Sequence, residues 1–546
     1  MKIIKERNSR SLIQIKPNSS SACTVIDGRG GDPDPQPCVI IHTENGYKSK
    51  MINKIKKMSA AIIIIIAIAF SNISYSDNEL DNIEVLTFSV NSMYNKGNLD
   101  TNKEKHKKLG EIELNRVLSK EDYIKDVNNF KSFYIHEQGY LGGYTKEQLD
   151  SDIDKLLQNP TGNTVGDLNL QLSKIISNMN DRHTTAMWHL GTEQFPFIIK
   201  IIGDEFYIIN TTEKCKDLLY SKIVSIEGVK SSEILKIVCK YISAENETGK
   251  KNILHYGYML YTDLLKKENI IKGDKVHLQI LQNGKIVDKI VDTIKTDNIG
   301  IYKNYYDDES YNQIMYETNE LKWDAYTNWG KEQFTENKPF YFYKSNRNLV
   351  IKYNYSYDIN KDNVLKDMIT KMQNEIQAKD IDNIILDIRY NGGGMFTNAK
   401  ELEFAIMQYQ LLNPKINIKV LTGEETFSAG IRMLDSVKRN LENVQMIGTN
   451  TAGASNHNMS GGNIVYLGKS KLFIYTSGEM RRYDYTYKDV IHSSNLNKGD
   501  GLTWYPDMFI ENQIEDYAVG NDKVMNYVLR DEGNNSLFDR IKGIFN

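Results

Sequence analysis

Residues 383–394 read NIILDIRYNGGG, a short apolar run that passes without a break into three glycines. Ile384, Ile385, Leu386 and Ile388 have the continuous apolar pattern of a strand covered on both faces. Glycines directly after such a strand leave backbone N–H groups bare and close to whatever lies above them, as an oxyanion hole requires. A second segment, TFSAG from Thr426 to Gly430, sets Ser428 between an apolar residue and two small ones. The run AGIRMLDSVKRNLENV that follows is helical in pattern, with Ile431, Leu434, Val437 and Leu441 on one face. A serine at that helix start gains from the positive end of the dipole, and the Ala429 N–H is a second donor. The pair points to acyl-transfer chemistry. The plainer alternatives are a tight strand-to-helix turn for the glycines and a simple N-cap for Ser428.

The chain has 546 residues, 40% of them hydrophobic and 25% charged, which is ordinary globular composition. A net charge of -3 and the lack of a basic stripe give no reason to expect nucleic acid. The four cysteines, Cys23, Cys38, Cys215 and Cys239, form no C-x-x-C pair, so zinc-ribbon and thioredoxin chemistry lack support. Gly462 to Ser470 ends in Gly-Lys-Ser and superficially resembles a P-loop. Its spacing is off by one residue and both flanks read as strand, so it is set aside.

Along the chain, residues 77–117 are a polar lead-in, and Ser119 to about Asn180 is helical in pattern. Ser119 with Asp122 makes a capping-box signal. Short strands dominate from Phe195 to about Thr296, interrupted by a helix over Ser231–Tyr241 and a helical stretch over Glu247–Lys267. From Lys344 onward strand and helix alternate, the pattern of parallel strands joined by crossover helices. The expected helices there are Asn363–Ala378, Asn398–Leu411 and Ala429–Leu441. Strands return over Ile464–Ile510, and a short helix near Asp522–Arg530 closes the chain.

The phrase LLYSKIVSIEGVKSSEIL resembles the core of a PDZ-like domain, whose groove captures an extended peptide as an added strand. A helical cap, such a module, and an α/β domain carrying LDIRYNGGG and TFSAG together resemble the C-terminal-processing (tail-specific) serine peptidases. The match is to the branch that includes the core of tricorn protease, and it covers roughly residues 118 to 530. NDRHT (180–184), LVIKYN (349–354), IGTNTAG (447–453) and YPDMFIENQIEDYAVGND (505–522) support it.

The resemblance implies an α/β multidomain fold. Its parts would be an N-terminal helical domain over 118–190, a PDZ-like β-rich module over 195–297, a connecting segment over 298–343, and a crotonase/ClpP-like α/β catalytic domain over 344–546. It implies a nucleophile at Ser428, with oxyanion donors at the Ala429 and Gly393 amides. One branch activates the serine with a lysine in a G-x-x-T-x-G-K segment, but Ala454 stands at that position here. The other branch uses a histidine in a D-G-H-T-type motif, and Asp181-Arg182-His183-Thr184 matches it with arginine for glycine. His183 is then the general base, as neutral imidazole suits near pH 7. In tricorn-like members a glutamate lies just upstream of a Gly-x-x-Pro-Asp motif. Counting back by that interval from Pro506-Asp507, the resemblance implies Asp500 as the orienting acid, with Glu479 as second choice.

No metal or organic cofactor is implied, and the partners would be peptide or protein substrates. Two other classes compete: a catalytically silent peptide-binding protein on the same scaffold, and a hydratase or thioesterase of the crotonase fold. The PDZ-like module and an export signal weigh against the last.

That signal is residues 51–76, MINKIKKMSAAIIIIIAIAFSNISYS. Lys54, Lys56 and Lys57 form its basic region, Ala60 to Phe70 its apolar region, and Ser74-Tyr75-Ser76 a small-residue cleavage site. The apolar run is short for a transmembrane helix, so no stable span is expected once it is removed. Met51 then reads as the true start, with residues 1–50 a disordered or spurious extension, and the product is exported to a periplasmic or extracellular site. There Cys215 and Cys239 either pair or remain buried thiols. N-terminal sequencing of the mature protein is expected to begin near Asp77; a terminus upstream of Met51 would overturn this reading.

Overall fold

In parallel sheets the strands are buried on both faces and read as near-continuous apolar runs, and NLVIKY, NIILD and NIKVLT are such runs. The computed structural model describes residues 3–4, 14–15, 112–136, 144–186, 191–256, 262–295, 340–354, 356, 364–394, 396–455, 457–458, 464–477, 480–481, 496–497, 503–519 and 521–530. The signal segment and most of residues 1–50 lie outside these. In the first of two compact units, Met1–Glu84, Ile3–Ile4 pairs antiparallel with Gln14–Ile15. Everything below concerns the second unit, Val85–Asn546.

Its N-terminal part is three helices, α1 (Lys120–His136), α2 (Lys146–Gln158) and α3 (Val165–Ser177). Thr145 and Thr164 form reciprocal capping boxes with Gln148 and Asp167, which set the starts of α2 and α3. A β-rich module follows, with strands β1 (Phe197–Ile202), β2 (Glu205–Thr211), β3 (Lys222–Ile226), β4 (Val229–Lys230), β5 (Lys275–Gln282) and β6 (Lys285–Asp292). All pairings are antiparallel, in the order β1-β2-β3-β5-β6, with β4 hooked onto β3. Helix α4 (Ser231–Val238) covers the sheet with Ile234, Leu235 and Val238. The expected Glu247–Lys267 stretch is two helices, α5 (Glu247–Tyr256) and α6 (Asp263–Lys267). Cys215 and Cys239 are free thiols, not a disulfide, and burial pushes Cys239 up to about 11.

The C-terminal part is a six-stranded sheet. Its strands are β7 (Phe340–Ser345), β8 (Asn348–Tyr353), β9 (Asn383–Asp387), β10 (Asn417–Thr422), β11 (Val444–Gly448) and, at the far edge, β14 (Met508–Phe509). β7 and β8 form an antiparallel hairpin; every other neighbour is parallel. The crossovers α7 (Val364–Glu375), α8 (Phe396–Leu412) and α9 (Ala429–Asn440) share one apolar core with Ile384, Leu386, Ile418 and Val420. Val350, Ile385, Leu421 and Ile447 point to the opposite face and pack on α11 (Lys523–Val528), which follows α10 (Ile514–Val519).

One feature runs against sequence order. The hairpin β12 (Ile464–Leu467) and β13 (Leu472–Tyr475) packs into the N-terminal helical core, where Val465, Leu467, Leu472 and Ile474 join Tyr123, Val127 and Leu168. The Gly-Lys-Ser that resembles a P-loop is the turn of this hairpin. Its Lys469 and Ser470 N–H groups donate to the buried Asp126 carboxylate, at 3.1 and 2.6 Å.

A buried ionic cluster fixes the end of β9. Arg389 donates to Asp387 from Nε and Nη2 at 2.9 and 2.7 Å and to Asp522 from Nη1 and Nη2 at 2.8 and 2.7 Å, while Lys352 lies 2.8 Å from Asp387. Burial alone would raise the Asp387 pKa, but the Arg389 and Lys352 charges override it and hold the carboxyl well below the usual range. Asp522 is lowered in the same way, Arg389 outweighing burial.

In the unfolded chain both carboxyls take up protons near pH 4, whereas in the folded chain they resist to lower pH. The unfolded state therefore binds more protons in this window, so the stability is present above about pH 5 and is lost as pH falls through the folded pKa values. Asp387→Asn is expected to destabilise by about 3–5 kcal/mol at pH 7, because it leaves buried cations underpaired. It should also flatten the fall in urea midpoint between about pH 5 and 2; an unchanged slope would remove Asp387 from acid sensitivity.

Candidate active site

Ser428 occupies the tight turn between β10 and α9 with φ 51° and ψ -115°, and its side chain caps no helix N–H. A non-glycine residue in that region costs about 1–3 kcal/mol and persists only where its surroundings impose it. The turn's surroundings are specific. Thr426 Oγ1 donates to the Ile388 carbonyl at 2.8 Å and accepts from Gly423 N–H at 3.0 Å. Phe427 N–H donates to the Asn391 carbonyl at 2.9 Å. A Cβ at Gly430 would lie 2.4 Å from that same carbonyl oxygen, so only glycine lets the serine turn dock on the glycine loop.

The glycine loop is held by Asn391, which is fully buried. Its Nδ2 donates to the Tyr353 carbonyl at 2.9 Å, and its Oδ1 accepts from Ser356 Oγ and Gly393 N–H, both at 3.0 Å. Gly393 has φ +112°, and a Cβ there would sit 2.7 Å from Ser428 Cβ. Gly393 and the Ala429 amide therefore both border the serine. In this state the Gly393 N–H is engaged by Asn391 rather than directed solely at the space above Ser428.

His183 meets the serine from the other end of the chain. Its Nε2 lies 3.2 Å from Ser428 Oγ, across 245 residues of sequence. The turn that carries it is fixed at each residue. Asp181 Oδ1 accepts from the His183 N–H at 3.1 Å and Oδ2 from Thr184 Oγ1 at 2.5 Å. Ser243 Oγ bonds both the Asp181 N–H and its carbonyl. Thr184 Oγ1 accepts from Ser477 N–H at 3.0 Å, and Thr185 exchanges backbone hydrogen bonds with Tyr475 of β13. The His183 ring packs on Phe427 at 4.7 Å between centroids. Arg182, the departure from the glycine of the motif, lays its guanidinium on the Phe427 ring at 4.2 Å and donates to Asn252 Oδ1 at 2.5 Å.

Four residues singled out in the sequence, Ser428, His183, Gly393 and Ala429, thus come together. Ala454 is buried, where the Ser/Lys branch would place its lysine. Asp500 and Glu479 lie outside the described residues. The sequence reading missed three contributors: Asn391, Phe427 and Glu245. Glu245 Oε1 accepts from Arg182 N–H at 3.3 Å, and its Oε2 is buried without a hydrogen-bond partner among the described residues. Burial and the charge of Asp181 push its carboxyl up to about 8. Asp181, His183 and Glu245 each set a donor atom within 4.8 Å of the other two. Asn391 had a local signal, since it directly precedes the glycines; Glu245 had none.

No known protein family matches the sequence, and no curated protein does. Among solved structures, the chain is similar to CPAF in a serine-to-alanine mutant form, with 11% identity and a TM-score of 0.48, over 75% of this chain and 96% of that one. It is also similar to the photosystem II D1 C-terminal processing protease, with 11% identity and a TM-score of 0.34, over 74% of this chain and 98% of that one.

Gly393→Ala is expected to lower the rate at which a serine-reactive phosphonate labels Ser428 by at least about 100-fold, a loss comparable to that of one oxyanion donor. The cause is that a Cβ at φ +112° would meet Ser428 Cβ at 2.7 Å and push the loop and the serine apart. Circular dichroism should show the fold retained. Undiminished labelling would mean that the loop can retreat and that Gly393 is not needed beside the serine.

Proposed function

We propose that the chain is an exported serine endopeptidase of the C-terminal-processing type, acting through an acyl-enzyme on peptide or protein substrates. The observation that carries this is the contact between His183 Nε2 and a serine held at positive φ beside a glycine loop. His183 takes the Ser428 proton as Oγ attacks the scissile carbonyl. The Ala429 N–H, and the Gly393 N–H shared with Asn391, stabilise the oxyanion. His183 then protonates the leaving amine, and water completes hydrolysis by the reverse sequence. In this reading the β-rich module is PDZ-like and presents the substrate, the α/β layer belongs with crotonase/ClpP-like folds, and Asp500 or Glu479 orients the imidazole.

The engagement of Gly393 N–H by Asn391 favours one rival, a binding protein on the same scaffold, because a silent site has no use for a second free donor. Peptide hydrolysis on a mixed library, read by mass spectrometry, separates the two. Wild-type protein is expected to cut, with Ser428→Ala and His183→Ala each reduced by about 10^4-fold or more and still folded. Hydrolysis retained in Ser428→Ala would remove Ser428 from the mechanism, and inertness of the wild type toward peptides and phosphonate alike would favour the binder.

A further inference from the structure

We propose that Asp181, His183 and Glu245 form a binding site for a divalent transition-metal ion, with Zn2+ the best chemical fit, and that its occupation silences Ser428. The silencing rests on the peptidase reading; the site itself does not. One donor atom from each residue lies within 4.8 Å of the other two. Tetrahedral zinc with bonds of about 2.0–2.2 Å holds its ligand atoms about 3.3 Å apart, so the three side chains, with donor atoms within 4.8 Å, need to close by up to about 1.5 Å.

The independent observation is Glu245 Oε2: the residue is half-buried, but this carboxyl oxygen is itself buried without a hydrogen-bond partner among the described residues. Such an atom in a folded protein calls for an explanation, and a bound ion supplies one. The framework is already rigid: Ser243 and Thr184 hold Asp181, the Arg182 amide holds Glu245 Oε1, and Phe427 backs the imidazole. One imidazole with two carboxylates suits zinc better than magnesium or calcium, which favour all-oxygen shells.

The consequence for the serine follows from the two nitrogens of the ring. A cation on Nε2 replaces the 3.2 Å contact with Ser428 Oγ. A cation on Nδ1 leaves the ring proton on Nε2, which then has no lone pair to receive the serine proton. Either way Ser428 loses its base.

Equilibrium dialysis of the full chain against Zn2+ tests the site, beside Glu245→Gln, His183→Ala and Ser428→Ala, with phosphonate labelling of Ser428 in parallel. Wild type and Ser428→Ala are expected to retain one equivalent more than the other two, whose affinity at this site falls by at least about tenfold. Equal retention by all four chains overturns the site. If either ligand variant fails to fold, broadening of the His183 ring resonances by one equivalent of Co2+ in the wild-type chain decides, and unbroadened resonances overturn it. Zn2+ should slow labelling at least about tenfold, with recovery on adding a chelator. Labelling equally fast with Zn2+ refutes the silencing, whereas zinc retained at these residues by a chain that never labels supports the site and sinks the peptidase reading.

Discussion

Asn391 is the point at which three separate pieces of backbone are tied together. Its side chain bonds the end of β8 and the glycine loop, and its carbonyl accepts from the residue before the serine. A buried amide held by three hydrogen bonds is rigid, and the loss of any one leaves an unsatisfied polar group in the core. The strained backbone of Ser428 is tolerable because this frame leaves the turn nowhere else to go. The Arg389 cluster performs the same service one step earlier, joining the end of β9 to the N-cap of α11.

The histidine is delivered by a different device. The NDRHT turn belongs to the helical part of the chain, yet its far side is paired to β13, which arrives from beyond Ser428 in sequence. The hairpin in turn is anchored by Asp126, whose carboxylate caps the turn amides that resemble a phosphate loop. His183 and Ser428 are therefore placed by two frameworks that meet at Phe427 and the 3.2 Å contact, with Asn246 bridging to the Thr451 carbonyl.

Much of this was legible in the residues. Strands such as NIILD and helices such as Ala429–Asn440 follow from periodicity, because one buried face or two leave a direct mark on the pattern. The expected helix Ala429–Leu441 ends one residue earlier, and Glu247–Lys267 is two helices rather than one stretch. The segment TFSAG placed a serine at a helix start but did not show its positive φ, which depends on the glycine loop at the end of the neighbouring strand. Glu245 and the return of β12–β13 to the N-terminal helices left no local trace. Both arise from contacts between segments far apart in sequence, to which periodicity is blind.

That return has a consequence for how the molecule comes into being. The Asp126–Ser470 contact spans 344 residues and the His183–Ser428 contact 245, so the histidine turn acquires its support from β13 well after it has itself been made. Contacts of such separation form late, after loop-closure entropy has been overcome. During synthesis the N-terminal helices and the β-rich module have the chance to fold as units before β13 exists. Until the hairpin docks, the histidine turn lacks its partners on one side, and His183 is not fixed beside Ser428. The topology thus works as a timer, withholding the His183–Ser428 contact until the β12–β13 hairpin has been made.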